Sequence, residues 1–167
     1  VVGKTTTAVN LDACVADEGC RVLLVDVDSQ GNTTSGLGID RADLDVSVYE
    51  AIAEDQPIDE IAVPTEVEGL DLVPSTRDLA GVEVELVSHP KREFQLRAAL
   101  RDSEIAYDFV MVDCPPSLGL LTVNALAASN TVLVPIQTEY YALEGVGLLS
   151  QTIELVQEYL NPSLTYE

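Results

Sequence analysis

Positive charge is what this chain has least of: eight Lys and Arg stand against 29 Asp and Glu, a formal charge of -21 at pH 7. Such a balance repels the phosphates of nucleic acid, so this stretch is not expected to be a DNA-binding surface. Trp is absent and aromatic residues make up only 5% of the chain. The apolar share is instead Val, Leu, Ala and Ile, which suits a parallel sheet buried under helices better than a sandwich. No apolar run approaches the ~18 residues of a membrane span, and no charged-then-apolar leader precedes a cleavage site. The expectation is therefore a soluble, cytoplasmic protein with no membrane partner. Cys14, Cys20 and Cys114 form no C-x-x-C pair and no Cys/His group, which argues against a metal cluster or disulfide framework and for buried, reduced thiols. The single histidine, His89, precedes Pro90 in a polar connection and reads as an exposed loop residue.

The acids are spread through helices and loops (Asp40, Asp43, Glu50, Glu60 and Glu68 among them), whereas Lys4 and Lys91 are the only lysines. That distribution describes a solvated acidic shell and leads us to expect a salt-loving source organism. Unfolding measured from dilute to molar KCl checks this: salt should stabilise the fold, and indifference to salt would remove the idea. Lys91, Arg92, Arg97 and Arg101 could line one helix, but among so many acids they read as partners in local ion pairs.

At 167 residues the chain has the size of one compact domain, and it contains no repeat or low-complexity tract. Residues 5–18 place Ala8, Leu11 and Val15 at helical spacing, with Gly19 as a stop. "RVLLVDVD", "GLDLVPS", "YDFVMVDCPPS" and "TVLVPIQ" are short apolar runs, the pattern of buried parallel strands delivering polar groups at their carboxyl ends. Between them, helices are expected near 47–54, 77–88, 91–102, 118–129 and 142–160, the last with Leu148, Leu149, Ile153, Val156 and Leu160 along one side. The polar stretch 54–69 reads as a surface excursion too short to separate domains. Alternating strands and helices predict an α/β fold: a doubly wound, mostly parallel sheet with helices on both faces.

Three elements carry chemistry. Gly3-Lys4-Thr5 has the residue types of a phosphate-binding loop, in which backbone N–H groups and a Lys ammonium meet phosphate oxygens and the next hydroxyl holds Mg²⁺. Taken alone it also fits a helix N-terminus with a capping Thr and an exposed Lys. "LLVDVDSQGNTTSGLG" ends a strand in Asp26 and Asp28 and runs into a small polar loop. "YDFVMVDCPPS" ends a strand in Asp113, with Pro115 and Pro116 stiffening the loop beyond it. Carboxylates at such strand ends can hold Mg²⁺ or its waters and can orient an attacking water.

With "GKTTTAVNL", "RVLLVDVDSQGNTTSGLG", "LDLVPST", "YDFVMVDCPPSLGLLTVNAL" and "VLVPIQTEYYALEGVGLL" in this order, the chain resembles the ParA/Soj family of partition ATPases, a deviant Walker A group of P-loop NTPases related to MinD. The resemblance covers well over half the chain. It implies that Gly3, Lys4, Thr5 and Thr6 bind ATP phosphates and that Thr5 is a direct Mg²⁺ ligand. It implies that Asp28 positions the hydrolytic water, that Asp113 supports Mg²⁺ through water, and that Asp26 serves the strand end. Glu139 to Glu144 would lie near a nucleotide-sandwiched dimer interface. Tyr140 and Tyr141 read as packing residues rather than base-stacking ones.

The implied activity is Mg²⁺-dependent ATP hydrolysis that switches an ATP-dependent homodimer onto nonspecific DNA, stimulated by a ParB-type centromere-binding protein. The implied site of action is the cytoplasm, on the nucleoid. The alternative is a non-hydrolysing or MinD-like positioning scaffold. The sequence departs from the family pattern where Val1 replaces a glycine and Ser29 a proline. By the resemblance, residues 1–167 are one partial P-loop domain lacking its first strand, the first Lys of the motif and the C-terminal part that carries the DNA contacts. On that expectation the isolated chain has no activity of its own.

Overall fold

The computed structural model describes residues 3–136 and 142–166, with the side chains of 142–144 and 166 excepted. Helix α1 (Lys4–Asp17) leads into strand β1 (Val22–Asp26) through Gly19, whose φ of 87° provides the left-handed turn expected there. There follow α2 (Asn32–Gly36), α3 (Val48–Ala53), α4 (Ile58–Ile61), β2 (Val63–Pro64) and β3 (Leu70–Val73). After β3 come α5 (Val82–Glu85), α6 (Gln95–Arg101), β4 (Phe109–Asp113), α7 (Leu120–Ala128), β5 (Thr131–Val132), α8 (Ala142–Tyr159) and β6 (Thr165–Tyr166).

The main sheet has the order β2-β3-β1-β4; β3, β1 and β4 are parallel, and the two-residue β2 runs antiparallel at one edge. Because side chains of a strand alternate between faces, the continuous apolar run of β1 feeds two cores. Leu23 and Val25 join Ile52, Ile58, Leu79, Leu96 and Leu121 under α3 to α7, whereas Val22 and Leu24 join Leu70, Leu72, Ala8 and Ala16 under α1. Helices thus cover both faces of a mostly parallel sheet, as the sequence predicts. β4 is the edge strand opposite β2, and its first residues Phe109 and Val110 are exposed.

Several expectations change in detail. The helix expected over 77–88 is broken into a 3₁₀ turn (Arg77–Gly81), α5 and a second 3₁₀ turn (Leu86–Ser88). Gly81 and the β-branched Val82, Val84 and Val87 weaken a continuous α-helix there. Among the described residues of "TVLVPIQ", 131–136, only Thr131–Val132 are strand, and this pairs in parallel with β6 rather than with the main sheet. On α8, Ile153 and Val156 are buried with Leu149 and Leu160 beside them, but Leu148 is 59% exposed and lies on the outer side. Adjacent residues differ by about 100° around a helix, so Leu148 and Leu149 cannot share one seam. The excursion 54–69 holds α4 and β2, and α3 begins at a capping box between Ser47 and Glu50.

Cys14 is exposed and Cys20 and Cys114 are partly covered; all three are free, so they are unpaired as expected but not uniformly buried. Cys14 falls on the outer side of α1, away from the buried stripe Ala8, Asp12 and Ala16. His89 is half-buried rather than exposed, and its Nδ1 is enclosed without a hydrogen-bond partner. Arg92 and Arg101 do pair locally, with Glu93 and Asp102 at 2.9 Å each. Glu139, Tyr140 and Tyr141, and the side chain of Glu144, lie outside the described residues.

Candidate phosphate and metal site

Parallel register sets Asp26 of β1 beside Asp113 of β4 at the carboxyl edge of the sheet. Beyond Asp26 the chain passes through buried Val27 and turns back on itself. The Gly31 N–H donates to the Asp28 carbonyl (2.8 Å) and the Gln30 N–H to Asp28 Oδ1 (3.0 Å). Gly31, with φ 61°, then opens α2. This short helix presents two adjacent buried hydroxyls to two different carboxylates. Thr33 Oγ1 donates to Asp113 Oδ2 (2.6 Å), whereas Thr34 donates to Asp26 Oδ2 through Oγ1 (2.7 Å) and its backbone N–H (3.0 Å). At the end of β3 the Ser75 N–H donates to Thr34 Oγ1 (3.0 Å). Three strand ends are thereby laced together.

The N-terminus of α1 meets the same carboxylate. Thr5 Oγ1 donates to Asp113 Oδ2 (2.7 Å), so two hydroxyls from separate helices share one oxygen. With its proton committed, the Thr5 oxygen retains lone pairs for a cation. Gly3 caps the helix in the left-handed region (φ 75°) with no side-chain cap, no acid in the first turn and open space around it. The first helical bond runs from the Thr7 N–H to the Gly3 carbonyl (2.8 Å), leaving the N–H groups before Thr7 without helical acceptors. An uncapped, positively polarised helix end of this kind suits an anion.

Burial pushes the Cys114 thiol up to about 12; the Asp113 and Asp28 charges raise it further and the Lys4 ammonium lowers it, so all three act on one atom. Burial also raises Asp26 to about 6, against hydrogen bonds from Thr34 and the Asp28 N–H that favour its charged form. Fully enclosed and bonded on both oxygens, Asp26 is an anchor of the strand end.

Of the residues singled out in the sequence, Thr5 and Asp113 are in direct contact, Asp28 sits on the neighbouring turn, and Gly3 and Lys4 stand at the helix end. Thr6 is exposed, and its carbonyl accepts from Asn10 Nδ2 (2.7 Å). Sequence reading missed Thr33, Thr34 and Arg41. A pair of adjacent threonines following a strand-ending acid was the available signal for the first two.

A family model described as AAA domain matches residues 1–166. The chromosome partitioning protein ParA of Myxococcus xanthus is 56% identical over 166 residues, which cover 99% of this chain and 59% of that protein. The sporulation initiation inhibitor protein Soj of Bacillus subtilis is 54% identical, covering 99% of this chain and 66% of its own length. The chain belongs to the ParA/Soj family.

It therefore spans about three-fifths to two-thirds of the length of these ParA/Soj relatives. Among solved structures, cobyrinic acid a,c-diamide synthase from Mycobacterium smegmatis with bound ATP analog and magnesium superposes with a TM-score of 0.94 at 44% identity, covering 99% of this chain and 68% of that one. The P-loop fold is common to the synthase and the ParA/Soj group.

Proposed function

We propose that the full-length protein is an Mg²⁺-dependent ATP switch of the partition type. The observation that carries this reading is the convergence of the Thr5 and Thr33 hydroxyls on Asp113 Oδ2 beside the uncapped end of α1. The residues present fit an anionic nucleotide and a divalent cation: donors without acceptors at Gly3 to Thr6, an ammonium at Lys4, and a hydroxyl already oriented by a carboxylate. Among the described residues no group of three or more His, Cys, Asp or Glu is placed to hold a metal ion by itself.

In this reading Gly3, Lys4, Thr5 and Thr6 hold the phosphates, and Thr5 ligates Mg²⁺ with Asp113 behind it. Mg²⁺ supplies neutralisation of charge on the phosphate oxygens. Asp28, held on its turn with one carboxylate oxygen accepting from Gln30, orients the attacking water. Thr33 fixes Asp113, and Thr34 with Asp26 fixes the turn that carries Asp28. ATP binding assembles a homodimer that engages nonspecific DNA through segments outside this chain, on the nucleoid in the cytoplasm. A ParB-type centromere-binding protein stimulates hydrolysis and release.

Phosphate release by the full-length protein, measured with and without its ParB-type partner and DNA, tests the reading. Slow Mg²⁺-dependent turnover that rises severalfold with the partner is expected. ATP binding with no hydrolysis under any of these conditions would instead establish a positioning scaffold.

A further inference from the structure

We propose that Arg41 is a positioning residue for hydrolysis, acting as a three-pronged clamp on the turn that carries Asp28. The proposal rests on the assignment of the attacking water to Asp28. Arg41 follows α2 and is partly buried. Its Nη1 donates to the Gln30 carbonyl (2.6 Å), its Nη2 to the Ser29 carbonyl (2.7 Å) and its Nε to the Ser75 carbonyl (3.1 Å). Ser29 and Gln30 are the two middle residues of the turn closed by Gly31 N–H and the Asp28 carbonyl. The guanidinium therefore grips the Ser29–Gln30 and Gln30–Gly31 peptide units of that turn, and the N–H of the first of these, on Gln30, is the donor that holds Asp28 Oδ1.

Two further observations make this a built contact. Gly31 lies so close under the guanidinium that a Cβ there would stand 2.6 Å from Arg41 Cζ and Nε. A side chain at Gly31 would therefore push the guanidinium out of this position, and the positive φ of Gly31 also favours glycine. The third prong ends on Ser75, whose own N–H holds Thr34 Oγ1, which in turn bonds Asp26. One planar cation joins the turn to the ends of β1 and β3. In a chain with 29 acidic residues, Arg41 forms no ion pair with any described residue. Its donors go to neutral carbonyls from three separate nitrogens of one rigid fork, a spread that a lysine ammonium, whose three N–H groups share one nitrogen, does not reproduce.

The test uses the full-length protein and compares wild type, Arg41→Gln, Arg41→Lys, Asp28→Ala and the double variant Arg41→Gln/Asp28→Ala. Single-turnover hydrolysis of Mg-ATP and affinity for a non-hydrolysable ATP analogue are measured for each. Arg41→Gln should slow hydrolysis about tenfold or more while analogue affinity stays within about threefold, and Arg41→Lys should fall between it and wild type. The double variant should be no slower than Asp28→Ala alone, because the clamp acts through that carboxylate. Wild-type hydrolysis by Arg41→Gln with slow hydrolysis by Asp28→Ala overturns the clamp and leaves the Asp28 assignment standing. Normal hydrolysis by Asp28→Ala overturns the assignment itself. Losses that add in full, or a fall in affinity matching the fall in rate, reduce Arg41 to a structural role and overturn the proposal. If Arg41→Gln does not fold, Arg41→Lys decides, since a wild-type rate there excludes a need for the fork.

Discussion

Replacing Lys4 by Ala in the full-length protein is expected to weaken Mg-ATP binding by roughly 30- to 1000-fold, the effect of removing a charged partner from a polyanion, about 2–4 kcal/mol. The helix end would remain, so N–H groups at Gly3 to Thr6 would still hold a residual anion. Asp28→Ala should do the opposite: ATP affinity stays close to wild type and hydrolysis drops about a hundredfold or more, the scale of losing a group that orients and accepts from water. The difference comes from placement. Lys4 stands at the uncapped end of α1, whereas Asp28 is on the neighbouring turn and carries a carboxylate, which repels phosphate rather than binding it. Titration calorimetry with an ATP analogue and phosphate release under single turnover separate the two. Unchanged turnover in Asp28→Ala, or unchanged affinity in Lys4→Ala, would each reject the corresponding role.

Asp12→Ala should stabilise the protein, and increasingly so as pH rises. Asp12 sits on the buried stripe of α1 between Ala8 and Ala16, only 1% exposed, with Oδ2 lacking any hydrogen-bond partner. Desolvation raises its pKa from 3.8 to about 7. Between those two values the unfolded chain has released a proton that the folded chain retains, so rising pH favours unfolding until the folded carboxyl also ionises. A tenfold difference in proton affinity between the two states corresponds to about 1.4 kcal/mol. The pH-dependent gain from Asp12→Ala should therefore grow from roughly 2 kcal/mol at pH 5 to roughly 4 kcal/mol at pH 8. Asp26, raised to about 6, tilts the wild-type curve in the same sense over a narrower window, but it is present in both proteins and cancels in the difference. Urea unfolding at the two pH values measures the effect, and a gain independent of pH would contradict the assignment of the burden to that carboxyl.

β1 was legible because a strand buried on both faces must be continuously apolar, as "RVLLVDVD" is; "YDFVMVDC" carries a similar run, although at the sheet edge its Phe109 and Val110 are exposed. The acids closing those runs stood out because a buried carboxylate needs hydrogen-bond donors, which Thr34 supplies to Asp26 and Thr5 and Thr33 supply to Asp113. The buried side of α1 was legible only in part. Periodicity pointed to Ala8, Leu11 and Val15; Ala8 is buried and Val15 partly so, but Leu11 is 39% exposed, and the sheet also takes Ala16 and encloses Asp12. Close approach of a helix to a sheet selects for size as well as polarity, and a hydrophobic pattern records only the second. Arg41 was illegible on other grounds: its partners are carbonyls, which every residue possesses, so no side-chain pattern announces them. The division of labour between Thr33 and Thr34 likewise depends on β1 and β4 lying side by side, a pairing across 87 positions between Asp26 and Asp113.

That pairing also governs which insertions and deletions the protein can survive. Two neighbouring threonines reach two neighbouring strands only while Asp26 and Asp113 are level, and a single residue gained or lost within β4 would turn Asp113 to the opposite side of the sheet. Length variation among natural or engineered versions should then collect away from the site, in stretches such as 54–69, and be purged from the two five-residue strands.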